Sequence, residues 1–340
     1  MPNTPKNILV TRLSAMGDVA MMVPVLIGLK KKYPEVKVTV LSRKRFKDII
    51  EQVPDVQFIE AQVQEKHSGA LGIYKLSQEL QHYSFDAIAD FHNVLRTKAL
   101  RLFLTGKKAV IDKGRLEKKR LINDPNFFKP LITTHERYTQ VLRNLGFEIN
   151  LHGDEFLTSL PLSTRLHDFL PTNSYKWIGF APFAAHPSKG LSVERMDEYL
   201  KELSRLENVN VFLFGGGKKE VIVLDKLADS YNNVINLAGK FSFKEELAII
   251  SKLDHMIAMD SGNGHLAAMY GVDTITVWGC THPYAGFAPF GQPFKNQVTV
   301  NRDRFPLIPT SVYGNKWPDG YENAINTIPI KKVIQLIVNK

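Results

Sequence analysis

The sequence predicts an α/β protein made of two doubly wound domains. Short β-branched runs alternate with longer stretches of helical periodicity, the signature of βαβ units and parallel sheets. The alternation stops at a proline-containing gap and then starts again. The 340 residues fit about two domains, at roughly 150 residues each.

The elements follow in order. Strands are expected at 8–13, 36–41, 56–59, 85–91 and 109–111, with helices between them, among them 24–33 and 71–83. Residues 161–174 read as a linker around Pro171. Strands resume at 177–181, 209–214, 234–237, 256–259 and 274–278, again with helices between. A final helix is expected at 330–338. Domains are therefore placed at 1–170 and 171–322, with a C-terminal segment at 323–340. Open parallel sheets bind ligands at the carboxyl ends of their strands. Two such sheets facing each other would leave one cleft. No short internal repeat is visible.

Composition narrows the class. Hydrophobic residues are 44% and charged residues 23%, so a disordered or fibrous chain is excluded. The 22 glycines and 18 prolines show no low-complexity bias. The single cysteine, Cys280, excludes an intrachain disulfide framework and a multi-cysteine metal site, and favours a reducing compartment. It reads as a structural thiol. No run reaches the ~18 apolar residues of a membrane span; the longest, 19–29, holds Pro24 and Gly28. Residues 1–6 lack the apolar stretch of a secretory signal. A soluble cytoplasmic protein is the expectation.

The net charge is +10. Between Arg96 and Arg120 stand ten Lys and Arg against Asp112 and Glu117. Such a patch suggests nucleic acid, a membrane surface or a phosphorylated substrate. The alternative is a solvated helix face.

Four strand-to-helix turns could carry chemistry. The first is Arg12-Leu13-Ser14-Ala15-Met16-Gly17-Asp18. It lacks the glycine spacing of a dinucleotide fingerprint and the Lys-Ser/Thr of a P-loop. Asp18 reads either as a helix cap or as a general base at a strand's carboxyl end. The second is Asp260-Ser261-Gly262-Asn263-Gly264-His265. Its glycines allow a tight turn and close approach to a ligand. Ser261, His265 and the first helical amides could surround a phosphate; the alternative is an ordinary helix start. The third, 180–189, ends in Lys189, near the same strand ends. The fourth is Phe214-Gly215-Gly216-Gly217-Lys218-Lys219-Glu220. Glu220 could meet ribose hydroxyls or merely cap a helix. The scattered histidines form no metal-ligand spacing, and His135-Glu136-Arg137-Tyr138 is not the zinc helix motif.

Together these motifs, with Asp90-Phe91-His92, Leu95-Arg96-Thr97 and the Leu266-Ala267-Ala268 that follows His265, resemble glycosyltransferase family 9, the ADP-heptose:lipopolysaccharide heptosyltransferases. The resemblance spans nearly the whole chain. Its specific elements are the Gly17-Asp18 turn and the Asp-Ser-Gly-x-x-His motif at 260–265. It implies a GT-B fold: two Rossmann-like domains, the first binding acceptor, the second binding nucleotide sugar, and a C-terminal helix crossing back to the first. It also implies inversion at the anomeric carbon, with no metal and no further cofactor. Asp18 matches the family's base, and Lys189 a lysine on the donor phosphates. Asp260, Ser261, Gly262 and His265 match the phosphate-binding turn. Glu220 falls near a ribose-binding acid and Phe241 near an apolar residue beside the nucleotide. Where the family often reads Lys-Arg-Trp-Pro, this chain reads Lys189-Gly190-Leu191-Ser192, a departure near the donor sugar.

The implied partners are ADP-heptose and a phosphorylated glycolipid at the inner face of the cytoplasmic membrane. Arg96, Lys118, Lys119 and Arg120 are the expected acceptor contacts. The rival readings are a nucleotide-sugar epimerase or hydrolase of the same fold, and a nucleic-acid-binding protein. The last is disfavoured because the basic segment holds only Phe103 as a stacking aromatic.

Overall fold

The computed structural model describes residues 4–338. Residues 1–3 of the opening segment, and the last two residues of the expected 323–340 segment, lie outside the described residues. The chain divides into two compact units: Met1–Gly114 with Ile132–Leu157, and Arg115–Leu131 with Thr158–Lys340.

The first unit holds five parallel strands: β1 (Asn7–Thr11), β2 (Lys37–Ser42), β3 (Val56–Glu60), β4 (Ala87–Asp90) and β5 (Lys107–Val110). Their order is β3-β2-β1-β4-β5. Between them run α1 (Met16–Ala20), α2 (Val23–Lys32), α3 (Lys47–Ile50), α4 (Gly69–Gln81) and α5 (Leu95–Phe103). Helix α6 (Arg115–Asn123) belongs to the second unit, and α7 (Thr134–Leu145) returns to the first. Ile8, Leu9 and Val10 of β1 are fully buried, because a parallel sheet is covered on both faces and its strands read as continuous apolar runs. The chain leaves β1 toward β2 and later returns to β4 on the other side, with Thr11 in register with both Leu41 and Asp90. That reversal is the switch point at which open α/β sheets bind ligands.

The second unit repeats the plan. It holds β6 (Lys176–Ala181), β7 (Val209–Leu213), β8 (Val234–Asn236), β9 (His255–Met259), β10 (Asp273–Trp278) and β11 (Gln297–Thr299), all parallel. Their order is β11-β10-β9-β6-β7-β8, so the switch point lies between β6 and β9. Its other helices are α8 (Thr164–Phe169), α9 (Val193–Ser204), α10 (Lys218–Ala228), α11 (Phe243–Ile250), α12 (Gly262–Ala268) and α13 (Ile330–Val338). β11 escapes the sequence reading because three residues carry no period.

Three placements differ from expectation. The 161–174 linker contains α8, started by Ser163, whose Oγ accepts from Leu166 N–H, and anchored by the fully buried Leu166. Helix α13 packs on α9: Val333 and Ile337 join Met196, Tyr199 and Leu200 in the second unit's core. It is thus part of that unit's own packing. Segment 115–131, expected within 1–170, also joins the second unit. Leu121 and Leu131 cluster with Ala285, and Phe127 and Phe128 with Tyr284 and Phe287. Leu131 N–H donates to Tyr284 O at 2.9 Å. The Arg302 guanidinium lies 3.4 Å from the Phe128 ring centroid. These partners stand far away in sequence, so no local pattern announces them.

Phe128→Ala should therefore loosen 115–131 by about 1–3 kcal/mol, less than a full core truncation. Hydrogen exchange should quicken there and leave β1, β2 and β4 unchanged. Faster exchange in β4 and β5 instead would assign the segment to the first unit.

Candidate functional site

In the first unit the turn after β1 is tightly held. Arg12 N–H donates to Leu41 O at 3.2 Å and Ser42 Oγ to Arg12 O at 2.5 Å. The Arg12 side chain donates to Phe91 O at 2.7 Å and pairs with Asp18 Oδ2 at 2.6 Å. The Tyr138 ring stacks on Phe91 at 4.4 Å, and its hydroxyl donates to Asp18 O at 3.2 Å. Ala15 N–H donates to Asp18 Oδ2 at 3.0 Å. Asp18 is thus a cap, as one sequence reading has it, but only through Oδ2. Oδ1 receives no hydrogen bond among the described residues, and the side chain is 24% exposed. One oxygen is anchored and the other is available to take a proton.

Asp90 and His92 surround this turn from β4. Asp90 Oδ1 accepts from Thr11 Oγ1, His92 N–H and Asn93 N–H, at 3.1, 2.9 and 2.8 Å. Asp90 Oδ2 pairs with Arg101 at 3.1 Å. Those bonds make Asp90 an organiser of the β4 end. His92 Nδ1 accepts from Leu13 N–H at 3.4 Å. Burial, then the Arg12 and Lys113 charges, push His92 down to about 4, against the opposite pull of Asp90 and Asp18. The imidazole beside Asp18 is neutral near pH 7.

In the second unit, Lys189 ends the short 3-10 turn Pro187–Lys189 that follows β6, and Asp260 directly follows β9. Lys189 Nζ pairs with Asp260 Oδ2 at 3.2 Å, and Thr281 Oγ1 donates to the same oxygen at 2.8 Å. The lysine is only 9% exposed. Its backbone is gripped by Ser188, whose Oγ donates to Gly314 O at 2.7 Å and whose O accepts from Cys280 N–H at 3.2 Å. Two glycines allow this. A Cβ on Gly279 would stand 2.1 Å from Ser188 O, and one on Gly314 (φ +76°) 2.6 Å from Lys189 Cγ. Ser261 starts α12 but caps nothing, and its buried Oγ has no hydrogen-bond partner among the described residues. Gly262 and His265 follow on α12, with His265 buried. Lys189 is thus held against Asp260, the residue before Ser261 and the start of α12, and the free amides of a helix start favour an anion.

The remaining expected residues are dispersed. Glu220, in the first turn of α10, accepts from Gly216 N–H at 2.7 Å. Phe241 meets Phe169 edge-on at 5.0 Å and lies under Arg165 at 4.9 Å. Arg96 is exposed on α5, in the first unit. Lys118 is buried, its ammonium 4.0 Å from the Phe287 ring centroid. Arg120 pairs with Asp124 at 3.0 Å, and Lys119 is exposed. The last three belong to the second unit and not to the expected acceptor half. Sequence reading includes Arg12 and Ser188 in its motifs without giving them a role, and it misses Gly279, Thr281 and Gly314. Gly279 and Thr281 follow directly on β10, and polar or glycine residues at that position were the available signal.

Two outcomes follow from this geometry. His92 binds a proton less readily folded than unfolded, so the unfolded chain holds more protons between about pH 4 and 6.5. Stability contributed by neutral His92 is present above pH 6.5 and lost as pH falls toward 4, by roughly 3 kcal/mol in full. Denaturant melts at pH 7 and 5 should show a shallower loss in His92→Gln. An identical pH dependence would show that this histidine is unperturbed. Gly279→Ala should cost about 1–3 kcal/mol by overpacking and weaken binding of a nucleoside diphosphate by moving Ser188 and Lys189. Wild-type calorimetry in that variant would show that the turn is not shape-limited.

Comparison with known proteins agrees with the fold. The lipopolysaccharide core heptosyltransferase OpsX of Haemophilus influenzae is 26% identical over 315 residues, covering 87% of this chain and 85% of that protein. A glycosyltransferase family 9 structure from Veillonella parvula superposes with a TM-score of 0.75 at 18% identity, over 98% of this chain and 96% of that one. The E. coli heptosyltransferase WaaC, solved with ADP, gives 0.71 at 18% identity, over 98% and 99%. These structural likenesses establish the two Rossmann-like domains of the GT-B fold. The family description "Glycosyltransferase family 9 (heptosyltransferase)" matches residues 73–317, most of the chain: the protein is a glycosyltransferase of family 9.

Proposed function

We propose that the protein moves a heptose from ADP-heptose to a phosphorylated lipopolysaccharide core acceptor, with inversion at the anomeric carbon. The carrying observation is the Lys189–Asp260 pair beside the unengaged Ser261 Oγ. It offers positive charge and a free donor at a switch point, where a diphosphate would sit. The names of the relatives described above support the sugar and the acceptor class.

In this reading the acceptor hydroxyl oxygen attacks the anomeric carbon. Asp18 Oδ1 takes its proton while Arg12 and Ala15 N–H hold Oδ2. The bond from the anomeric carbon to the diphosphate oxygen breaks, and ADP leaves with the electron pair. Lys189, Ser261, His265 and the α12 amides stabilise that growing charge. Glu220 and Phe241 would meet the ribose and the base. Of the basic residues expected to touch the acceptor, Arg96 and Lys119 are exposed, whereas Lys118 and Arg120 are already engaged. Among the described residues no helix is long and apolar enough to cross a membrane. A glycolipid acceptor would then be met by peripheral contact at the membrane's inner face.

Asp18→Asn should lower turnover by roughly 10²–10⁴-fold with ADP affinity unchanged. Lys189→Ala should weaken ADP by about ten- to a hundredfold, the loss of one charged hydrogen-bond donor. Steady-state kinetics and calorimetry read the two. Near-normal turnover in Asp18→Asn would leave Asp18 as a cap alone, and tighter binding of UDP than of ADP would overturn the donor.

A further inference from the structure

The first unit carries a further group of cations, of which only Arg96 has a role in the reading above. Arg43 and Arg45 lie just past the carboxyl end of β2, and Arg96 lies in the first turn of α5, just past β4. β2 and β4 flank β1, whose own carboxyl end leads to Asp18. Arg43 stands two residues beyond Leu41, which is in register with Thr11 and so with Asp90. The Arg43 Nε is buried and has no hydrogen-bond partner among the described residues. Arg45 is exposed and lies over the Phe46 ring at 4.6 Å. Burial and the nearby Arg45 and Arg96 charges lower the Arg43 pKa below its ordinary value, as expected where like charges converge.

Among the described residues of this unit, every other arginine has a counter-charge. Arg12 pairs with Asp18, Arg101 with Asp90, Arg137 with Asp112 and Arg143 with Glu136. Among the described residues, Arg43, Arg45 and Arg96 make no ion pair. Val94 starts α5 without a side-chain cap to its N2 or N3 amide, so the positive end of a nine-residue helix adds to the same region. A buried, unpartnered Arg43 Nε with two exposed, unpaired arginines at the neighbouring strand ends offers donors that an anion would satisfy.

We propose that Arg43, Arg45 and Arg96 form a binding site for a phosphate monoester carried by the acceptor, placing the acceptor beside Asp18. The inference rests on the reading that the first unit takes a phosphorylated acceptor. Guanidinium forks match phosphate oxygens in pairs. Three forks offer more donors than the two oxygens of a carboxylate can take, and the three terminal oxygens of a phosphate monoester suit them better. Arg43 supplies the buried donor, and Arg45 and Arg96 supply exposed ones.

The test uses the full chain, ADP-heptose and a heptose-free, phosphate-bearing lipopolysaccharide core, with the same core after phosphatase treatment. In Arg43→Gln/Arg96→Gln the acceptor KM should rise at least about tenfold, with kcat at saturating acceptor and the ADP affinity unchanged. Dephosphorylating the acceptor should cost the wild type a similar factor and cost the variant nothing more, because both changes remove one interaction. Arg43→Lys/Arg96→Lys, which keeps the charge without the fork, should fall between. An unchanged KM in the Gln variant overturns the site. So does a raised KM with no dependence on phosphate, since the anion is then another group. If the wild type binds ADP but transfers nothing, the function reading fails separately. Calorimetry of the phosphorylated core in saturating ADP then decides the site: weaker binding by the Gln variant supports it, and equal binding overturns it.

Discussion

The double pairing of β1 governs the first unit. A strand buried on both faces and bonded on both edges has no side chain free for chemistry, and its backbone groups are spent on the ladder. Reactivity can begin only where the ladder ends, past Thr11. Because β2 and β4 both end in register there, their following residues converge on one place. Ser42 grips the Arg12 carbonyl, and Asp90 gathers Thr11, His92 and Asn93. The turn carrying Asp18 is thereby set by the two strands beside it as well as by its own sequence.

The second unit meets the same constraint with a different solution. Its switch point holds a nearly buried ion pair, Lys189 with Asp260. Such pairs add little net stability, because desolvation offsets their attraction. Removing one partner is far worse than never having had the pair. Its place past a strand end fits a role in holding charge ready for a ligand. The neighbouring chain is shaped around it: glycine at 279 and 314 is the only residue that clears Ser188 O and the Lys189 stem. Fixed dipoles and charges of this kind need little reorganisation when a leaving group turns anionic.

Much of this was legible in the sequence, for identifiable reasons. Ten of the eleven strands announce themselves, the central ones such as β1 and β9 because a buried parallel strand is written as an apolar run, and the outer ones such as β3 and β5 through shorter β-branched or apolar pieces between helical stretches. Asp18, Lys189 and the 260–265 turn drew notice as candidates because each lies in the segment that follows such a strand. The 115–131 segment was not, because the aromatic partners that hold it, Tyr284 and Phe287, are more than 150 residues away in sequence. Helix α8 was hidden by the prolines around it. Gly314 carries no signal at all until the Lys189 stem is seen beneath it.

Charge was the least legible property, and the reason is pairing. The basic run from Arg96 to Arg120 looks like one patch when counted along the chain. In space it comes apart: Arg101 neutralises Asp90, Arg120 meets Asp124, and Lys118 is buried against Phe287. A count of residues overstates a field whenever its members have partners, and exposed charges are screened beyond about 8 Å at physiological ionic strength. The converse also holds. Arg43 and Arg45 attract no notice in sequence, since they stand outside the run, yet they remain uncompensated beside Arg96. What directs an anion to a surface is the charge left over after pairing, and in the first unit that remainder lies at the strand ends flanking the Asp18 turn.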